Sequence, residues 1–123
     1  MLFKNYLFLV LPLLLQACAS NPAISSLTSE QRSNLLNIEI HNEGVTQEYT
    51  NLGQVKGLSC HRNAHMTQQL GSDEAIQGLK IRAVQLGADA VINMVCQKNS
   101  GTDWVNNCWA SIICVGDAIK LIK

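Results

Sequence analysis

Four cysteines set into or beside runs of strand-like alternation constrain this chain more than any other feature. Beyond Cys18 they are Cys60, Cys96, Cys108 and Cys114, and the last three fall within LGADAVINMVCQKNSGTDWVNNCWASIICVG, Leu86 to Gly116. Ala90, Ile92, Met94 and Cys96 read as one face of a first run, and Ala110, Ile112 and Cys114 repeat that phase in a second. Period two in both predicts two strands. Asn99, Ser100, Gly101, Thr102 and Asp103 between them are turn formers, since Gly accepts positive φ and Asn, Asp and Ser bond their own backbone. An antiparallel hairpin carrying thiols on one face follows.

At 123 residues the chain holds one domain. Nine basic residues balance nine acidic ones, which removes the electrostatic case for nucleic acid. The N-terminus supplies the compartment: Lys4 precedes an apolar stretch from Tyr6 to Leu15, broken only by Pro12, in the manner of a secretory signal. It closes on Leu15-Gln16-Ala17-Cys18, which resembles the lipobox of bacterial lipoproteins, where the cysteine is acylated and begins the mature chain. This accounts for the odd fifth cysteine. By the sorting rule of such lipoproteins, Ala19 in place of Asp after the acylated cysteine directs the protein to the outer membrane.

Ala19 to Leu36 is polar and small, and reads as a tether with a short helix around Ser29 to Leu36, capped by Ser29. Fully extended, those residues reach roughly 60 Å. Ile38 to His41 alternates as an edge strand, and Leu52 to Leu58 as a better strand in which Gly53 and Gly57 signal a bulge or a close backbone approach. Ser72-Asp73-Glu74 opens a helix with acids in its first turn, and Gly87 ends it. Ala75, Ile76, Leu79, Ala83 and Leu86 form its apolar stripe. Ile81 and Val84 fall off that stripe, either covered by a neighbouring loop or offered to a partner. After Gly116, Ala118 to Lys123 alternates again, so the strand is expected to continue through a bulge at Gly116. The fold class is α+β: a small three- to four-stranded sheet with one packed helix, stapled by two disulfides.

A mature domain of roughly seventy to ninety residues buries little apolar surface, and cystines in an oxidising compartment are the expected remedy. Cys108 and Cys114 on one extended strand would lie about 20 Å apart, too far to be bridged to each other. Of the two remaining pairings, a turn near Thr102 places Cys96 opposite Cys108, and spacing alone leaves the choice open.

NLGQVKGLSC, LGADAVINMVC and NCWASIICVGDAIKL resemble the RcsF family of outer-membrane lipoproteins, sensors of the Rcs envelope-stress phosphorelay. The likeness spans Leu52 to about Ile122, together with the lipobox. It implies interleaved bridges, Cys60 with Cys108 and Cys96 with Cys114. It also implies a signal peptide over 1–17, a lipidated N-terminus and tether over 18–36, and a periplasmic domain over 37–123. The implied partners are outer-membrane β-barrel proteins and an inner-membrane inhibitor of the phosphorelay; no cofactor is implied. The family tether is longer, basic and rich in proline, whereas only Pro22 follows the lipobox here.

Two other classes compete. A metal-binding lipoprotein would draw on Cys60, His61, His65, His41 and the other thiols, which zinc would need to converge in a tetrahedron. An enzyme would need a nucleophile, a base and an orienting group; the chain carries no CxxC, HExxH or GxSxG. Trp104 and Trp109 precede the second run, and are either candidate partner contacts at an exposed hairpin tip, as interface aromatics often are, or packed against the sheet.

Overall fold

The computed structural model describes residues 21–62, 70–99 and 101–123. A short 3-10 turn at Ile24–Ser26 leads into helix α1 (Ser29–Leu35) and strands β1 (Glu39–Ile40) and β2 (Tyr49–His61). Helix α2 (Asp73–Gln85) and strands β3 (Ala90–Asn99) and β4 (Ala110–Leu121) complete the fold. The strands form one sheet in the order β1-β3-β4-β2. β2 and β3 both pair antiparallel with β4, and β1 pairs parallel with β3. β2 and β3 therefore run the same way on either side of β4, with α2 in the connection between them. A two-strand hairpin alone is marginal in water; a helix across the sheet supplies the missing apolar layer.

The glycines of β2 do what their positions predicted, by two different means. The β2 register shifts between Asn51 and Gly53, where Gly53 takes φ +125°, open to a residue without a Cβ. Gly57 instead lets backbone meet backbone: a Cβ there would stand 1.7 Å from the Ala75 carbonyl oxygen and 2.6 Å from Leu79 N. Helix α2 thus rests directly on the strand. Ser59, two residues on and fully buried, accepts a 2.8 Å hydrogen bond from Ala75 N through its Oγ. That bond satisfies a first-turn donor that the helix cannot pair internally. Ser72, the N-cap expected from local sequence, makes no side-chain capping bond. At the other end Gly87 takes φ +78° and its N–H returns to the Val84 carbonyl at 2.9 Å.

Strand β3 corrects the single-face reading of its residues. Its register against β4 shifts between Ile92 and Val95, opposite Gly116, with Asn93 at φ +53°. The extra residue reverses the alternation. Ala90 and Ile92 therefore pack with Ile119 on one side, while Met94 packs with the main core on the other. Strand β4 itself runs unbroken through Gly116, so the bulge expected there belongs to its neighbour. Ile112, Cys114 and Ala118 face the main core with Val55, Ala75 and Leu79.

Helix α2 buries more than its main stripe. Ile81 and Val84 are each only 3% exposed and join a core that also holds Leu27 and Ile38, with Leu35 packed against it. The segment before β1 covers them, so they are not a partner patch; the covering reading is the correct one. Leu86, counted in the stripe, is exposed. Residues 21–36 accordingly do not run as an extended spacer. Helix α1 is capped by Thr28 rather than Ser29: Thr28 Oγ1 accepts from Gln31 N at 3.1 Å, and Gln31 Oε1 accepts from Thr28 N at 2.9 Å.

Candidate functional site

The two bridges and the loop they hold form the most specialised part of the described surface. Cys96 and Cys114 are direct cross-strand partners in the β3–β4 hairpin and are joined by a disulfide. Cys60, next to the end of β2, is joined to Cys108 just ahead of β4, with the Cα atoms 5.4 Å apart. This is the interleaved pairing implied by family resemblance. A turn near Thr102 would have placed Cys96 opposite Cys108; the observed register, Cys96 on Cys114 and Asn99 on Ser111, centres the hairpin on Val105.

The physical reason lies in a second, smaller turn inside the loop. Asp103 and Cys108 pair through reciprocal backbone bonds, Asp103 N to Cys108 O at 2.7 Å and Cys108 N to Asp103 O at 2.9 Å. The Asp103 carboxylate fills this turn: Oδ1 accepts from Val105 N and Asn106 N at 3.1 Å, and Oδ2 from Asn106 Nδ2 at 2.7 Å. The Asn106 side-chain amide, followed by the backbone donors, holds the Asp103 carboxyl below its ordinary range. Trp109 N donates to His61 O at 2.7 Å, tying the far end of the loop to β2.

The tip between these ties is apolar and open. Trp104 is 84% exposed, Val105 87% and Trp109 46%. A covalent bridge and a satisfied carboxylate fix a loop that nevertheless presents large apolar side chains outward. Sequence reasoning singled out both tryptophans and missed Val105, which has no pattern around it to mark it.

Sequence reasoning also missed Asn21. Its carboxamide binds the outer edge of β2 as a neighbouring strand would: Nδ2 donates to Leu58 O, and Oδ1 accepts from Leu58 N at 2.9 Å. Gly78 of α2 leaves the room, since a Cβ there would stand 2.5 Å from the Asn21 amide carbon. Asn21, Lys56, Leu58, Arg82 and Asn106 line one shared hollow, which places the start of the described chain beside the bridged loop.

The metal-binding reading is overturned at its sulfurs. Cys60 and the other three cysteines beyond Cys18 are all spent in disulfides and offer no thiolate. Among the described residues no group of three His, Cys, Asp or Glu side chains is placed to hold a metal ion. His61 ends β2 half-buried, while His41 lies 3.1 Å from Glu39. His65 and Cys18 lie outside the described residues. Among the described residues no helix is long and apolar enough to cross a membrane.

A search of curated proteins gives no significant match. One similar solved structure is a crystal structure from Pediococcus pentosaceus ATCC 25745, described as a protein of unknown function in the DUF74 family. It has 26% identity and a TM-score of 0.55 over 69% of this chain and 98% of its own. The model of the RcsF lipoprotein family matches residues 15–122, from the last residues of the apolar leader through both bridges to the end of β4, and the chain belongs to that family.

Proposed function

We propose that this protein is an envelope-stress sensor. Acylated at Cys18, it is held on the outer membrane with the domain of residues 37–123 facing the periplasm. It signals by protein-protein contact to an inner-membrane inhibitor of the Rcs phosphorelay, with outer-membrane β-barrel proteins as further partners. The observation that carries this reading is the family match over residues 15–122, which takes in Cys18 and all four bridged cysteines. The mechanism is a change in accessibility and binding, and no substrate bond is made or broken.

The test is a phosphorelay reporter in cells lacking the protein, challenged with lipopolysaccharide damage. Restoring the native chain should restore induction. Cys18→Ser should leave the fold intact, displace the protein from the outer membrane and alter signalling. Replacing Cys60 or Cys114 by Ser should lower protein level and signalling together. Full induction without the protein would refute the proposal.

A further inference from the structure

The position of Asn21 bears on the exposed loop tip. Resting on the proposed acylation of Cys18, we infer that Trp104 and Val105 sit in the headgroup region of the bilayer that holds the lipid anchor, as a second contact that orients the domain. Cys18 precedes Asn21 by three residues, so its Cα stays within about 11 Å of a residue fixed to Leu58. Acyl chains on Cys18 therefore bring the surface around Asn21 down to the lipid. That surface includes the hollow shared with Asn106, the residue after Val105. The interfacial layer outside each hydrocarbon face is about 5–7 Å deep, within the reach of a loop tip.

The chemistry of the tip fits a bilayer interface. Indole partitions to the headgroup level because it joins a broad apolar surface to one N–H donor. Lys56 in the adjoining hollow places positive charge where anionic headgroups lie. The acid of the loop itself, Asp103, has its carboxylate turned into the loop and bound by Val105 N, Asn106 N and Asn106 Nδ2. Because Cys60–Cys108 and Asp103 hold the backbone, the apolar pair is presented without first having to be ordered.

The test uses the mature, acylated protein reconstituted in phosphatidylethanolamine and phosphatidylglycerol vesicles, with or without brominated acyl chains. The chain has two tryptophans, so Trp109→Phe leaves Trp104 as the sole indole. Trp104 emission should move to shorter wavelength on reconstitution and lose at least half its intensity to the brominated lipid. Asn21→Ala, which lengthens the leash, should weaken that quenching; unchanged quenching would overturn the geometric argument. Water-like emission and no bromolipid quenching, with mass spectrometry finding acyl chains on Cys18, would overturn the inference and leave the anchor reading standing. Shorter-wavelength emission that ignores bromolipid would mean that protein covers the tip, which also overturns it. An unmodified Cys18 in the mass spectrum would sink the anchor and this inference together.

Discussion

Helix α2 is capped by a residue of the strand beneath it, and a pair of serine substitutions isolates that contact. In Ser59→Ala, Ala75 N loses its 2.8 Å partner at a fully buried site. Loss of a cap costs about 1 kcal/mol, and a buried donor left unsatisfied costs about 1–3 kcal/mol. These describe one contact, so a total of about 2 kcal/mol is expected. Unfolding entropy is about 2.1 cal/mol/K per residue, or about 0.2 kcal/mol/K for a folded part of about 100 residues. Ser59→Ala should therefore lower Tm by about 10 °C. Ser72→Ala removes the serine that local sequence favours as cap but that makes no capping bond, and should cost under about 0.5 kcal/mol. Thermal melts of the oxidised variants followed by circular dichroism read both. If Ser72→Ala costs as much as Ser59→Ala, the capping argument fails.

Replacing Cys60 and Cys108 together by Ala opens a 48-residue separation, and replacing Cys96 and Cys114 opens one of 18. Chain entropy then gives losses of about 4 and about 3 kcal/mol, so urea midpoints should fall further for the first pair; the reverse order would refute chain entropy as the source. Peptide mapping without reduction should recover the 60–108 and 96–114 cross-links. Gly57→Ala should cost about 3 kcal/mol or more, because the new methyl meets backbone that cannot rotate aside. Gly71→Ala, with nothing among the described residues within 4 Å of its Cβ, should melt close to the native protein. Asp103 has a depressed folded-state pKa, so its contribution to loop order is complete above the ordinary value of about 3.9. That contribution is lost as pH falls through the lower folded-state value. Trp104 fluorescence should show this acid transition, and Asp103→Asn should remove it.

Wherever side-chain period or glycine chemistry sets an element, the sequence was readable. β2 with its bulge, α2 with Gly87 behind it, and the β3–β4 hairpin all follow from local pattern. The failures share a different cause. The face reversal at Asn93 comes from one extra residue in β3, which apolar alternation cannot reveal while Ala90, Ile92, Met94 and Cys96 happen to keep a period of two. The turn centre moved from Thr102 to Val105 because Asp103 builds a turn of its own, a choice decided by one carboxylate and three donors. Capping by Ser59 joins residues sixteen apart in the chain. Cover for Ile81 and Val84 was among the readings the sequence offered, but its source, a segment of polar and small residues, gave no sign of docking. At the bridged loop the residue types were readable, but the disulfide pairing needed family resemblance, and the clamp of Asn21 on Leu58 left no trace in the local pattern.

Those two hydrogen bonds to Leu58 also set a mooring length. While Asn21 holds β2, three peptide units separate Cys18 from the folded body, and the proposed acyl anchor would keep the domain at its own membrane. Were residues 21–36 to peel away, the span from Cys18 would lengthen from three residues to eighteen, and the radius of travel would grow about sixfold at constant length per residue. On the proposed anchor, reach across the periplasm is thus coupled to whether residues 21–36, held by Asn21 at the strand edge and by Leu27 in the core, stay docked.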